Sequence, residues 1–432
     1  MKRIMPIQSR NDWWPAILAA LSAFCVYTCM YAFRKPFTTA SFENISFLSI
    51  DYKIWLVVAQ TVGYTLSKFY GIRFIAEMKN ENRPMAIIKL IAIAWIALLF
   101  FAIVPAPFNI IFLLINGLPL GVIYGLVFSY LEGRQVTELL GAVLATSFIF
   151  ASGFTQSAGK FLMVTFHVSE WWMPWLTGFI FFIPLLLFRW LLSKTPAPSA
   201  KDISLRTERV VMTKTARVHF VKSFLPGLIL LIIAYIMLTI IRDYRSNFAA
   251  DMWKELGQGS DASVFTTSEI PASVVVLVLM SLLVVVKRNM NALMINHAII
   301  IAGFVIAMTV TILFTAGMIS AFWWMTMTGV GLYMGYVPFN CMLFDRLIAT
   351  FKYAGNAGFI IYVADSFGYL GSDFILVIKN FTGVADSWTV FFAKMVLGLS
   401  FAGVILVSLS AIYFHKKYKE YLSPLSPNLN YV

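Results

Sequence analysis

Twelve apolar runs, each about twenty residues or longer, set the terms on which this chain can fold. They cover approximately 13–37, 53–77, 85–104, 109–130, 138–166 and 171–192, then 224–250, 267–286, 293–316, 320–345, 353–379 and 388–414. A run of that length crosses a ~30 Å hydrocarbon core as a helix. In lipid only helices or closed barrels satisfy every backbone N–H and C=O, and unbroken apolar runs select helices. Composition agrees: the 432 residues are 60% hydrophobic and 12% charged, with mean hydropathy +0.82, where a soluble domain carries roughly 25% charged residues. The reading is a polytopic, all-α membrane protein.

The net charge of +13 does not point to nucleic acid, because its bases fall in every second connection. With the N-terminus in the cytoplasm, the even-numbered connections hold Lys79 and Arg83, Arg134, a basic linker, Lys287 and Arg288, and Arg346 and Lys352. The tail adds Lys416, Lys417 and Lys419. The other side holds Glu43, Asp51, Glu170, Asp251, Glu255, Asp261 and Asp386 with few bases. This is the positive-inside asymmetry, and it places both termini in the cytoplasm. The run after Trp13 lacks a small-residue cleavage site and is read as a retained first helix. Cys25, Cys29 and Cys341 lie in apolar segments without ligand spacing, and the four histidines are scattered, so no metal or other cofactor is expected. No phosphate-cradling Gly-Lys-Ser/Thr loop or soluble nucleotide-binding domain is present, which argues against an enzyme or a primary pump.

The polar stretch midway, with Lys194, Lys201, Arg206, Arg209, Lys214, Arg217 and Lys222, divides the chain. Residues 1–192 form a first six-helix bundle, 193–223 a cytoplasmic linker, 224–414 a second six-helix bundle and 415–432 a tail. Twelve transmembrane helices in two six-helix parallel halves are the plan of the major facilitator fold. A monomer in a bacterial inner membrane is the expected setting.

Charges inside the runs carry the chemistry. Tyr27, Tyr31 and Arg34 are spaced i, i+4, i+7 and share one helix face. Tyr235, Thr239 and Arg242 repeat that spacing in the seventh run. An arginine at the bilayer centre costs about 2.5–3.5 kcal/mol on insertion scales, so two at matching depth imply a use. Arginine keeps its charge when desolvated and presents a planar fork suited to phosphate or carboxylate. The alternative for each is snorkelling or structural pairing, with Asp243 reaching a neighbouring helix. Tyr64 and Lys68 lie four apart on the second run, where Lys68 either joins the site or snorkels. Lys160 adds a charge to the site or reaches the outer interface. Asp365 and Asp243, with Asp373 two turns beyond Asp365, are proton sites or counter-charges. Lys35, about 100° round the helix from Arg34, is read as the structural charge of that pair.

At these residues the chain resembles the organophosphate:phosphate antiporters of the major facilitator superfamily, the glycerol-phosphate and hexose-phosphate transporters. Tyr31-Ala-Phe-Arg34-Lys35-Pro36-Phe37 is similar to that family's first-helix Tyr-x-x-Arg-Lys-x-Phe. Gly63-Tyr64-Thr-Leu-Ser67-Lys68-Phe69 is similar to its second-helix Tyr-x-x-Ser-Lys-Phe. Ile241-Arg242-Asp243-Tyr244 with Trp253-Lys254-Glu255 resembles the seventh helix, and Phe367-Gly368-Tyr369-Leu370-Gly371 the eleventh. The resemblance implies that Arg34 and Arg242, aided by Lys68, bind a phosphate group. It implies further that Tyr27, Tyr31, Tyr64 and Tyr369 line the site, and that the halves rock to give alternating access. Three positions depart from the pattern. Phe150 stands where the family has histidine, Gly71-Ile-Arg-Phe-Ile-Ala-Glu77-Met-Lys replaces its Gly-x-x-x-Asp-Arg loop, and Asp365 occupies a glycine position. The expectation is a secondary transporter of a small phosphorylated or other anionic solute, coupled to phosphate exchange or to protons. An organophosphate sensor that does not transport, and an accessory membrane protein, are the alternatives.

Overall fold

The computed structural model describes residues 10–78, 80–131, 137–196, 214–353, 358–381 and 386–422. Among the described residues twelve long helices follow one another: α1 Arg10–Tyr31, α2 Tyr52–Glu77, α3 Arg83–Ile103, α4 Ile110–Phe128, α5 Thr137–Phe166, α6 Met173–Ser193, α7 Lys214–Asn247, α8 Val264–Val284, α9 Asn289–Thr315, α10 Ala321–Cys341, α11 Gly358–Phe381 and α12 Trp388–Leu422. Short helices Ala249–Glu255 and Leu343–Thr350, a 3-10 turn Pro36–Thr39, and an antiparallel pair β1 Ser46–Phe47 and β2 Ile50–Asp51 sit in connections. The chain is an all-α, multi-pass membrane protein. Lys79, Arg134, Lys201, Arg206 and Arg209, on which part of the charge asymmetry rests, lie outside the described residues.

Helix ends depart from the apolar runs in two ways. α7 starts ten residues before its run and α12 continues through Lys416, Lys417 and Lys419 to Leu422. Hydropathy marks where a helix leaves lipid, and a helix whose bonds are all internal continues into water. α1, by contrast, stops at Tyr31 rather than at residue 37. Pro36 has no N–H to offer the preceding turn, so the chain turns at 32–35 and resumes as the 3-10 segment.

Nine of the described helices are long and apolar enough to cross a membrane on those grounds alone. Of the helices described without interruption, α10 falls short by composition. α10 is enclosed from Trp324 to Phe339 almost without interruption, and α2 and α11 carry Lys53, Gln60, Lys68, Asp365 and Asp373. Helices that line an interior site are relieved of the demand for an apolar surface.

Helices α1 to α6 pack among themselves, as do α7 to α12. Between the two sets, α5 lies along α8 and α2 touches α11. The α2–α4 crossing is the closest within the first set: a Cβ on Gly117 would sit 2.2 Å from the Gln60 carbonyl oxygen and 2.8 Å from the Tyr64 nitrogen. Backbone cannot yield as a side chain does. Gly117→Ala is therefore expected to cost about 1–3 kcal/mol by overpacking, read as a lowered unfolding midpoint in detergent.

At the end bearing the acidic connections, polar side chains tie the two sets together. Lys53 Nζ donates to Asp251 Oδ2 at 2.6 Å and to the Thr38 carbonyl at 2.7 Å. Lys35 Nζ donates to Asn247 Oδ1 at 2.6 Å. Gln156 Nε2 donates to Thr38 Oγ1 and to the Ser246 carbonyl, each at 2.8 Å. The Ser152 and Ser246 hydroxyls lie 2.9 Å apart.

Candidate functional site

The break at Pro36 builds the first half of the site. A helix end leaves carbonyls without partners, and here buried amides take them. Asn116 Nδ2 donates to the Phe33 carbonyl at 3.0 Å, and Gln60 Nε2 donates to the Arg34 carbonyl at 3.0 Å. Gln60 Nε2 also donates to Asn116 Oδ1 at 2.7 Å, which joins α2 and α4 under the turn. Arg34 is thus held by its backbone just beyond α1, and not on a continuous helical face as its spacing suggested. Its guanidinium still reaches back, with Cζ 5.7 Å from the Tyr31 ring centre and 4.0 Å from that of Tyr64.

From there cations and rings alternate across the interface between the halves. Lys68 Nζ lies 5.3 Å from the Tyr64 ring centre and 4.8 Å from that of Tyr369. Those two rings meet edge to face at 5.7 Å, one from α2 and one from α11. Arg242 Cζ sits 4.0 Å over Tyr336 and 5.7 Å from the Tyr369 centre. Each cation over a ring face gains about 0.5–2 kcal/mol, more as water is excluded. Tyr27 packs behind, edge-on to Tyr31 and to Tyr124.

The carboxylates divide the cations unequally. Lys68 does not snorkel: its ammonium pairs with Asp365 Oδ2, across the two halves. The Tyr235 hydroxyl donates to Asp365 Oδ1, lies 3.0 Å from the Tyr336 hydroxyl and accepts from Asn340 Nδ2 at 3.3 Å. Arg242 donates from Nε at 2.9 Å and from its terminal nitrogen at 2.7 Å to Asp243 Oδ1. Asp243 therefore answers its own sequence neighbour and not another helix. Among the described residues Arg34 has no carboxylate partner, and its Nε is buried without an acceptor.

The structure thus brings together Tyr27, Tyr31, Arg34, Tyr64, Lys68, Tyr369, Arg242, Asp243 and Asp365. It does not bring Lys160 to them; the charges that act on that ammonium are Glu170, Lys254, Lys53 and Asp251 at the acidic end. Asp373 keeps a buried Oδ1 without a hydrogen bond. Phe150 stacks on Phe154 at 5.2 Å and lies tilted against Phe24 at 5.9 Å. Thr239 donates its hydroxyl to the Tyr235 carbonyl of its own helix at 2.8 Å. Sequence reasoning passed over Tyr336, Asn340 and Gln60. Their only signal was polar or aromatic character inside runs otherwise apolar.

The fold is shared with solved transporters. The crystal structure of a D-xylose-proton symporter superposes with a TM-score of 0.60 at 15% identity, over 93% of this chain and 96% of that one. A bacterial homolog of the human lysosomal transporter Spinster, solved inward-facing and unoccupied, gives 0.57 at 13% identity, over 95% and 99%. At such identities the likeness is one of fold, and that fold is the twelve-helix major facilitator architecture. No curated protein matches the sequence. A model described as a family of unknown function (DUF5690) matches residues 36–417.

Proposed function

The chain belongs to the family of unknown function DUF5690, and we propose that this member is a secondary active transporter of a small anionic solute, phosphorylated compounds first among them. One observation carries the reading. Of the three cations at the central tyrosines, Arg242 and Lys68 each hold a carboxylate while Arg34 holds none among the described residues. A guanidinium kept in a membrane interior without a counter-charge is costly. An incoming phosphate or carboxylate supplies that charge, in a bidentate geometry that lysine cannot offer. The motifs around Arg34, Lys68 and Tyr369 support phosphate over other anions. The placement of the cluster between two six-helix halves supports alternating access.

The test is uptake by purified protein in liposomes loaded with phosphate, offered labelled phosphate, glycerol phosphate, hexose phosphates, sulfate and small carboxylates. Saturable uptake of one class, competed by its analogues, is the expected result. Saturable binding without flux would make the protein a sensor, and no binding of any anion would sink the reading. A second measurement addresses rocking. Ser152→Cys with Ser246→Cys is expected to form a disulfide across the halves, where the two hydroxyls lie 2.9 Å apart, and to stop uptake until a reductant is added.

A further inference from the structure

We infer that Asp365 takes up a proton when the anion binds and gives it back when the anion leaves, so that solute and proton cross together. This rests on the anion reading above. Asp365 is buried, with one cation, Lys68, on Oδ2 and one neutral donor, Tyr235, on Oδ1. Among the described residues, other polar groups gather round it from five helices. From α2 there are Lys68 and Tyr64, from α7 Tyr235 and Arg242, from α10 Tyr336 and Asn340, from α4 Tyr124, and from α11 itself Tyr369. Arg242 is held by Asp243. Among the described residues Asp365 has Lys68 as its one cationic partner.

Lys68 is also the cation placed to help Arg34 hold an anion, since both lie on the Tyr64 ring. An anion at Arg34 therefore competes with Asp365 for the same ammonium. When Lys68 turns to the solute, Asp365 keeps the Tyr235 hydroxyl as its one hydrogen-bond donor among the described residues, with Arg242 committed to Asp243, and there the protonated carboxyl is preferred. The proton comes from water on the side the site faces, and the carboxylate becomes a carboxylic acid. On the far side the anion departs, Lys68 returns and the proton is released. The pair also joins α2 to α11, so each cycle opens one charged tie between the halves.

The experiment measures proton uptake by detergent-solubilised protein in weak buffer on adding sulfate, which does not titrate near neutral pH, with phosphate in parallel. Wild type is expected to take up about one proton per bound anion, and its anion affinity to rise as pH falls. Asp365→Asn is expected to bind anion with no uptake and no pH dependence, while Asp365→Glu retains both. Binding without uptake in the wild type, or uptake that persists in Asp365→Asn, overturns this inference and leaves anion transport standing. Absence of Arg34-dependent anion binding overturns both.

Discussion

Replacing Arg34 with alanine is expected to weaken anion binding by about 2–5 kcal/mol, a loss of roughly 30-fold to several-thousand-fold, while the protein stays folded. The second half of that statement follows from the geometry as much as the first. Among the described residues Arg34 has no carboxylate partner and its Nε has no acceptor, so its removal strands no described buried charge. What is lost is a cation over Tyr64 at 4.0 Å and over Tyr31 at 5.7 Å. Arg34→Lys keeps the charge but not the fork, and is expected to fall between wild type and alanine. Arg242→Ala makes the contrast: it deprives Asp243 of the donors at 2.7 and 2.9 Å, and is expected to cost stability as well as affinity. Calorimetric titration with phosphate, beside unfolding midpoints of the same samples, separates the two. Unchanged affinity in Arg34→Ala would remove the observation on which the function rests.

The largest stability effect is expected at Lys53 and Asp251. Both are buried, Lys53 at 2% exposure and Asp251 at 8%, and their oxygen–nitrogen distance is 2.6 Å. Asp251→Ala leaves the ammonium with the Thr38 carbonyl as its remaining acceptor. Breaking one side of a buried pair costs about 3–5 kcal/mol, whereas replacing both sides with apolar groups is often neutral or stabilising. The double variant Lys53→Met with Asp251→Leu is accordingly expected to recover most of the loss in a detergent melt. If single and double variants unfold alike, the pair contributes nothing as a pair. Because it ties α2 to the short helix after α7, its loss is also expected to free the halves at the acidic end.

The number of helices and their approximate spans were legible because each apolar run is long enough to be its own evidence. The candidate cations were legible for the converse reason: a charge in such a run stands out against its neighbours. The face shared by Tyr27, Tyr31 and Arg34 was read less well. Counting by helical turns assumes a helix, and Pro36 ends that helix before Arg34. Arg34 nevertheless arrives beside Tyr31, because Gln60 and Asn116 hold the turn that carries it.

Partners were not legible. Lys68 was open to snorkelling or to the site, and Asp365 to coupling or counter-charge; the answer for each is the other, 297 residues away. Nothing local in either helix encodes that meeting, which arises where α2 packs on α11. The same holds for Lys53 and Asp251, 198 residues apart. What the sequence by itself determined was which segments must leave water and which charges must then be compensated, since both follow from transfer free energies of individual residues. Which charge compensates which was decided only by tertiary structure, because an ion pair depends on distance and geometry. Among the described cations at the central tyrosines, Arg34 is the one whose compensation packing left unmade.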